Sequence, residues 1–244
     1  MTLTERYEII LERMTQAAQR VNRPADDITL IAVTKTHPVA LLEAAYDVGM
    51  HHFGENRTHE LEEKRPYFQQ KLGANHDIHW HFIGTLQSRQ SKTVAQYADT
   101  FHALDRIKIA KRLATQCSDL NRTLPFFLEV NLSGEMSKSG VAVSDWENSA
   151  TQQEALRNVV QLVNNLPGIS LVGLMTMAPW DVETAVIRSV FRRTRQLSEW
   201  MQQNMTEIKQ PLQLSMGMTD DFEIAIEEGA THIRVGRALF GERH

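Results

Sequence analysis

Cysteine is almost missing: Cys117 is the one such residue among 244. A lone cysteine excludes an intramolecular disulfide framework and suits a reducing compartment. Excess positive charge is missing too. Lysine and arginine number 26 against 30 aspartates and glutamates, a formal net charge of -4. That balance gives no reason to expect nucleic acid or an anionic membrane as a partner. No uninterrupted apolar run reaches the length of a membrane span. The opening MTLTERYEIILERM carries Glu5, Arg6, Glu12 and Arg13, which leaves no apolar stretch long enough for a signal peptide. Repeats, low-complexity stretches and linkers do not stand out. The expectation is a soluble, cytoplasmic chain.

What is present is ordinary in bulk and regular in order. Hydrophobic residues make up 42% and charged residues 23%, a globular balance. Short β-branched or apolar runs at 28–35, 51–56, 78–84, 100–105, 124–131, 169–177, 212–218 and 231–236 read as strands. Helical stretches alternate with them at 39–49, 57–71, 87–97, 106–119, 146–165, 182–204 and 220–228, with Thr219 or Asp220 as an N-cap. A strict β-then-α order implies parallel strands with right-handed crossovers. About eight such units in one chain of this length point to the α/β class and a (β/α)8 TIM-type barrel. An open doubly wound sheet is the rival. Beyond the eighth strand only RALFGERH remains, too little for an ordinary eighth helix. An extra N-terminal helix over 4–22, with Tyr7, Ile10, Met14, Ala17 and Val21 at helical spacing, is expected to cover that gap or the barrel bottom. Residues 1–244 are read as one domain.

Side chains alternate along a strand, so Ile31, Val33 and Lys35 share one face of LIAVTK. A long cation closing an apolar run at a strand's C-terminal end is placed as a barrel's active-site residue is. Burial disfavours the ammonium form of a lysine, and a neutral amine is a nucleophile toward an aldehyde. The plainer reading is a lysine that snorkels into its loop. The other end of the chain decides between them. Barrels bind phosphate with the loops after strands 7 and 8. Here the seventh strand ends in Ser215, Met216 and Gly217, a hydroxyl followed by a residue that permits close backbone approach. The eighth reads Ile233-Arg234-Val235-Gly236-Arg237, so Arg234 and Gly236 face the barrel if Ile233 and Val235 face the helices. An inward guanidinium beside a pyridine nitrogen would keep that nitrogen unprotonated and weaken the ring as an electron sink. The alternative for Arg234 is a structural ion pair with Asp220, Asp221 or Glu223.

With these residues in view, the chain resembles the pyridoxal phosphate homeostasis proteins, which are similar to the N-terminal domain of alanine racemase. The matching stretches are AVTK (32–35), FGEN (53–56), HFIGTLQSRQSK (81–92), VNLSGEMSKSG (130–140), GLMTMAP (173–179), LSMGMTDDFEIAIEEGAT (214–231) and IRVGRALFG (233–241). The resemblance implies a fold-type III barrel without the racemases' C-terminal β-domain. It implies pyridoxal 5'-phosphate (PLP) on Lys35 as a Schiff base, and a role in holding and delivering PLP. It also implies that Ser215, Met216, Gly217, Gly236 and Arg237 bind phosphate, that Arg234 faces the ring nitrogen, and that Asn56 and Met175 neighbour the cofactor. Other B6 vitamers and apo forms of PLP-dependent enzymes are the implied further partners, and a monomer the implied state. Two positions depart from the pattern: Lys35-Thr36-His37 lacks the second lysine common in relatives, and Arg237 stands where a small hydroxylated residue is usual.

No catalytic residue is assigned. A racemase needs a second base across the cofactor from the lysine, and Tyr7, Tyr46, Tyr67 and Tyr97 do not end barrel strands. The alternatives are a weak racemase-like activity through Lys35 alone and a Schiff-base sugar-phosphate aldolase. Lys138, in the 134–140 loop, is a candidate to approach the phosphate or to compete for the aldehyde. His76, His79 and His81 lack a third ligand at convincing spacing, so no metal site is expected; His81 reads as orienting a polar group at the barrel mouth. Arg188, Arg192 and Arg195 read as a solvated helix face. Cys117 reads as a small buried residue, and the four tryptophans as core or helix-surface residues.

Overall fold

The computed structural model describes residues 1–73, 76–135 and 138–241. Among the described residues nine strands are formed: β1 (Thr29–Val33), β2 (His52–Glu55), β3 (His79–Phe82), β4 (Thr100–Leu104), β5 (Leu124–Asn131), β6 (Val141–Ala142), β7 (Ile169–Met175), β8 (Gln213–Ser215) and β9 (His232–Val235). All pairings are parallel, in the order β4-β3-β2-β1-β9-β8-β7-β5, and β4 pairs with β5 to close the ring. The two-residue β6, which the sequence pattern did not show, pairs only with β5 outside that ring. The barrel therefore has eight strands, and the doubly wound alternative is excluded.

The helices are α1 (Leu3–Gln19), α2 (Val39–Asp47), α3 (Thr58–Leu72), α4 (Ser91–Tyr97), α5 (Ile107–Asp119), α6 (Ala150–Asn164), α7 (Thr184–Asn204), α8 (Phe222–Glu227) and α9 (Arg237–Phe240). α1 opens on a capping box between Thr2 and Glu5 and packs across α8 and the four-residue α9. It thus covers the place where the closing helix is short. The arginines of α7 are partly solvated and also make ion pairs to α8. Arg188 reaches Glu227 at 2.5 Å and Glu228 at 3.1 Å, and Arg192 reaches Glu228 at 3.0 Å, tying α7 to α8.

Period-2 alternation sorts the strand residues. Ala32, Phe53, Trp80, Phe101 and Val235 lie in the apolar layer under the helices. Their neighbours Ile31, Val33, Gly54, His81, His102 and Arg234 point into the barrel, in a consistent register: Ile31 opposes Arg234, Val33 opposes Gly54, and Gly54 opposes His81. Burying the outer layer stabilises the fold at roughly 25 cal/mol per Å² of apolar surface. The inner layer mixes apolar and polar side chains, and its polar members lead to the site.

Candidate functional site

A cavity of about 680 Å³ opens at the C-terminal ends of the strands. Its wall includes Lys35, Asn56, Arg234, Gly236 and Arg237 of the expected residues, with Val33, His37, Thr85, Met177, Trp180, Met218, Thr219 and Asp220 beside them. β1 stops at Val33, two residues before Lys35. The ladder nonetheless continues one step, Thr34 N–H donating to the Gly54 carbonyl at 3.0 Å. Alternation therefore carries past the strand end, and Lys35 reaches the cavity as Val33 does. The chain then turns through Thr36, whose φ of +67° lies in the left-handed region. Opposite Asn56, a Cβ on Gly84 would lie 2.4 Å from the Asn56 carbonyl oxygen, so glycine is what lets those two strand ends close up beside the cavity.

Four other expected residues lie beside or behind this wall. Ser215, Met216, Gly217 and Met175 are not on the cavity wall among the described residues. Ser215 is the last residue of β8 and fully buried; its hydroxyl accepts from Arg234 at 2.6 Å and bonds His102 at 2.8 Å. Gly217 (φ +95°) turns the chain toward α8, where any Cβ would meet Ala225 Cβ at 2.6 Å. That turn carries Met218, Thr219 and Asp220 to the mouth instead. Asp221, not Thr219 or Asp220, holds the N-cap position of α8, and its Oδ1 accepts from the Met218 amide at 2.5 Å.

Arg234 makes no ion pair among the described residues. Its guanidinium donates to Ser215 Oγ and to the Thr176 carbonyl at 3.1 Å. Burial lowers its pKa to about 10, against the pull of Asp221 and Glu129, so it remains a cation at neutral pH. Arg237 pairs with Asp220 at 2.5 Å and lies 5.9 Å above the Trp180 ring. Trp180 is 70% exposed at the cavity rim, unlike the buried Trp80 and Trp146. Lys138 is held by Glu135 at 2.8 Å and lies 3.5 Å from the Met177 carbonyl; residues 136–137 of its loop lie outside the described residues.

Behind Arg234 runs a file of imidazoles that the sequence reading missed. Ser215 bonds His102, His102 Nε2 lies 2.8 Å from His81 Nδ1, and His81 Nε2 lies 3.0 Å from His52 Nδ1. His81 thus orients polar groups inside the barrel, not at its mouth. His232 and His79 flank the file. Burial, reinforced by the neighbouring rings, lowers His52 to about 4 and holds His81 and His102 well below the ordinary value. Burial also lowers His232 to about 3. These rings are neutral at pH 7, and each link needs one donor and one acceptor, so the three tautomers in the file are set together. No group of side chains suited to a metal is found among the described residues. No helix among them is long and apolar enough to cross a membrane.

Residues 9–244 match the family described as alanine racemase, N-terminal domain. A curated relative from Pasteurella multocida (strain Pm70), named pyridoxal phosphate homeostasis protein, is 38% identical over 244 residues, covering 100% of this chain and 98% of that one. PipY of Synechococcus elongatus PCC7942, solved with PLP bound, is 32% identical with a TM-score of 0.78, over 98% of this chain and 100% of that one. A crystal structure described as that of an unknown protein from Bifidobacterium adolescentis superposes with a TM-score of 0.85 at 32% identity, over 98% of this chain and 94% of that one.

Proposed function

The chain belongs to the alanine racemase N-terminal domain family, and on that premise we propose that it binds PLP through Lys35 and serves PLP homeostasis by holding and releasing the cofactor. The observation that carries this reading is one cavity wall bearing a lysine from the β1 end and an arginine from β9. When bound, PLP supplies an aldehyde carbon open to capture by an amine and a pyridine ring that withdraws electrons. Lys35 is the residue that would hold the aldehyde. Arg234, kept cationic and fixed by Ser215 and Thr176, would face the ring nitrogen and leave it unprotonated. Asn56 would flank the ring.

Phosphate would lie against Gly236 and Arg237, with Thr219 supplying a hydroxyl from the turn after β8. Ser215 and Gly217 act behind that cradle: Ser215 anchors Arg234, and Gly217 shapes the turn. Arg237 adds a cation whose charge Asp220 shares. A carrier fits this wall better than a racemase does. Among the described residues no tyrosine lines the cavity: Tyr7 bonds the Gly49 carbonyl, Tyr46 bonds Asp77 and Tyr67 bonds Glu43. The protein acts, in this reading, as a one-domain monomer in the cytoplasm, with other B6 vitamers and apo forms of PLP-dependent enzymes as its further partners.

Titration of the purified protein with PLP, followed by visible absorbance, tests the reading. The wild type is expected to develop a saturable band that Lys35→Ala lacks. An identical band in both proteins would remove Lys35 from its assigned role.

A further inference from the structure

Beneath the turn that carries Lys35 lies a cluster of three ionisable side chains, none of them on the cavity wall. Glu55 ends β2 on the outer face of the barrel, and Glu60 and Lys64 project from α3 onto it. All three are buried, Lys64 to 3% exposure. An ammonium has three N–H donors, and Lys64 uses each of them: Thr34 carbonyl at 2.9 Å, Glu55 Oε1 at 2.7 Å and Glu60 Oε2 at 2.7 Å. Glu60 Oε2 also accepts from the Thr36 amide at 2.6 Å, and Glu55 Oε1 accepts from the Thr34 hydroxyl at 2.6 Å. The cluster therefore grips the residue before Lys35 and the residue after it.

We propose that Glu60, Lys64 and Glu55 are positioning residues that set the backbone on both sides of Lys35 and so place its amine on the cavity wall. The inference rests on the reading of Lys35 as the PLP lysine. Two features favour a positioning role over plain stabilisation. A buried ion cluster is a weak source of net stability, because desolvation offsets much of the attraction. The turn also needs holding: Thr36 is β-branched and sits at φ +67°, a conformation that persists only where surrounding contacts impose it.

The cluster's charge state bears on the grip. Burial raises the Glu60 pKa, but bonds from Lys64 and the Thr36 amide outweigh it and leave the group below its ordinary value. Burial lifts Glu55 to about 7, against the pull of Lys64. The charged groups that face Glu55 are Lys64 and Glu60, both on α3. Below that pH the cluster is one ammonium and one carboxylate; above it, Glu55 is a second buried carboxylate, whose Oε2 has no hydrogen-bond partner among the described residues.

The test compares PLP affinity and the rate of appearance of the visible band in wild type, Glu60→Ala, Glu60→Gln and Glu55→Gln. Thermal melts establish that each variant is folded. A wild type that forms no borohydride-stable adduct at Lys35 refutes the reading of the site itself. Given that adduct, Glu60→Ala is expected to bind PLP about tenfold more weakly. Glu60→Gln is expected to recover most of the loss, since one oxygen takes both bonds that Glu60 Oε2 takes. Folded Glu60→Ala with wild-type affinity and rate, or Glu60→Gln as impaired as Glu60→Ala, overturns the proposal. Glu55→Gln supplies a separate readout. The ratio of wild-type to variant affinity should change through a step near pH 7, and a flat ratio counts against the proposal.

Discussion

Replacing His102 by phenylalanine separates what its hydrogen bonds do from what its shape does. The imidazole is fully buried and stacks on Phe127, ring centroids 4.3 Å apart and 18° from parallel. A phenyl ring preserves that stack and fills the space. It removes both polar contacts, the 2.8 Å bond to His81 Nδ1 and the 2.8 Å bond to Ser215 Oγ. His81 Nδ1 is then a buried group without its partner, and Ser215 keeps only Arg234. A buried polar group left unmade costs about 1–3 kcal/mol, so the pair is expected to lose about 2–6 kcal/mol, less the small gain from a more apolar ring. In a chain of this size about 1 kcal/mol moves Tm by roughly 2–4 °C. His102→Phe should therefore melt about 4–20 °C below wild type in a calorimetric or circular-dichroism scan. His102→Ala, which adds an internal void, should melt lower still. A His102→Phe protein melting within about 2 °C of wild type would refute the view that the file is a set of made, mutually dependent bonds.

Other expectations concern pH, backbone space and the cavity rim. His52 and His232 have folded pKa values of about 4 and about 3, below the ordinary 6.5. Their contribution is present above pH 6.5 and lost as pH falls through those values, so acid should unfold the protein steeply below about pH 6. Glu55 and Glu129 run the other way: burial raises both to about 7, and what they contribute at low pH is lost as pH climbs through that value. Urea unfolding across pH should thus show maximum stability between the two limits, and Glu55→Gln should flatten the alkaline side. Gly173→Ala would put a Cβ 2.1 Å from the Gln213 carbonyl oxygen, where β7 pairs with β8. It should cost at least about 2–3 kcal/mol, read as a lower urea midpoint. Trp180, exposed on the cavity rim, should lose fluorescence as PLP saturates the site. Trp180→Phe should remove most of that change if the rim borders the cofactor.

The barrel is legible in the chain because its cues are local. Apolar runs of strand length alternate with helical stretches, and inward positions such as Ile31, Val33 and Lys35 follow from period-2 alternation alone. Arg234 and Gly236 are legible for the same reason. The turn after β8 is only half legible. Local pattern reads 212–218 as continuous strand, whereas β8 stops at Ser215 and Gly217 turns the chain, so that Met218, Thr219 and Asp220 line the cavity. Strand ends depend on tertiary contacts that no local pattern records. The histidine file was invisible for a deeper reason: its members come from β2, β3 and β4, and only the register of those strands brings them together. The Glu55–Glu60–Lys64 cluster is similar. Glu60 and Lys64 stand four apart, as any surface pair on a helix would, and only α3 lying over β2 buries them.

The most direct test of the central claim is where PLP attaches. The protein is incubated with PLP, reduced with borohydride, digested, and its pyridoxyl-labelled peptide sequenced by mass spectrometry. The account predicts one dominant label, on Lys35, that is absent from Lys35→Ala. Label spread over surface lysines, or unchanged in Lys35→Ala, would contradict it.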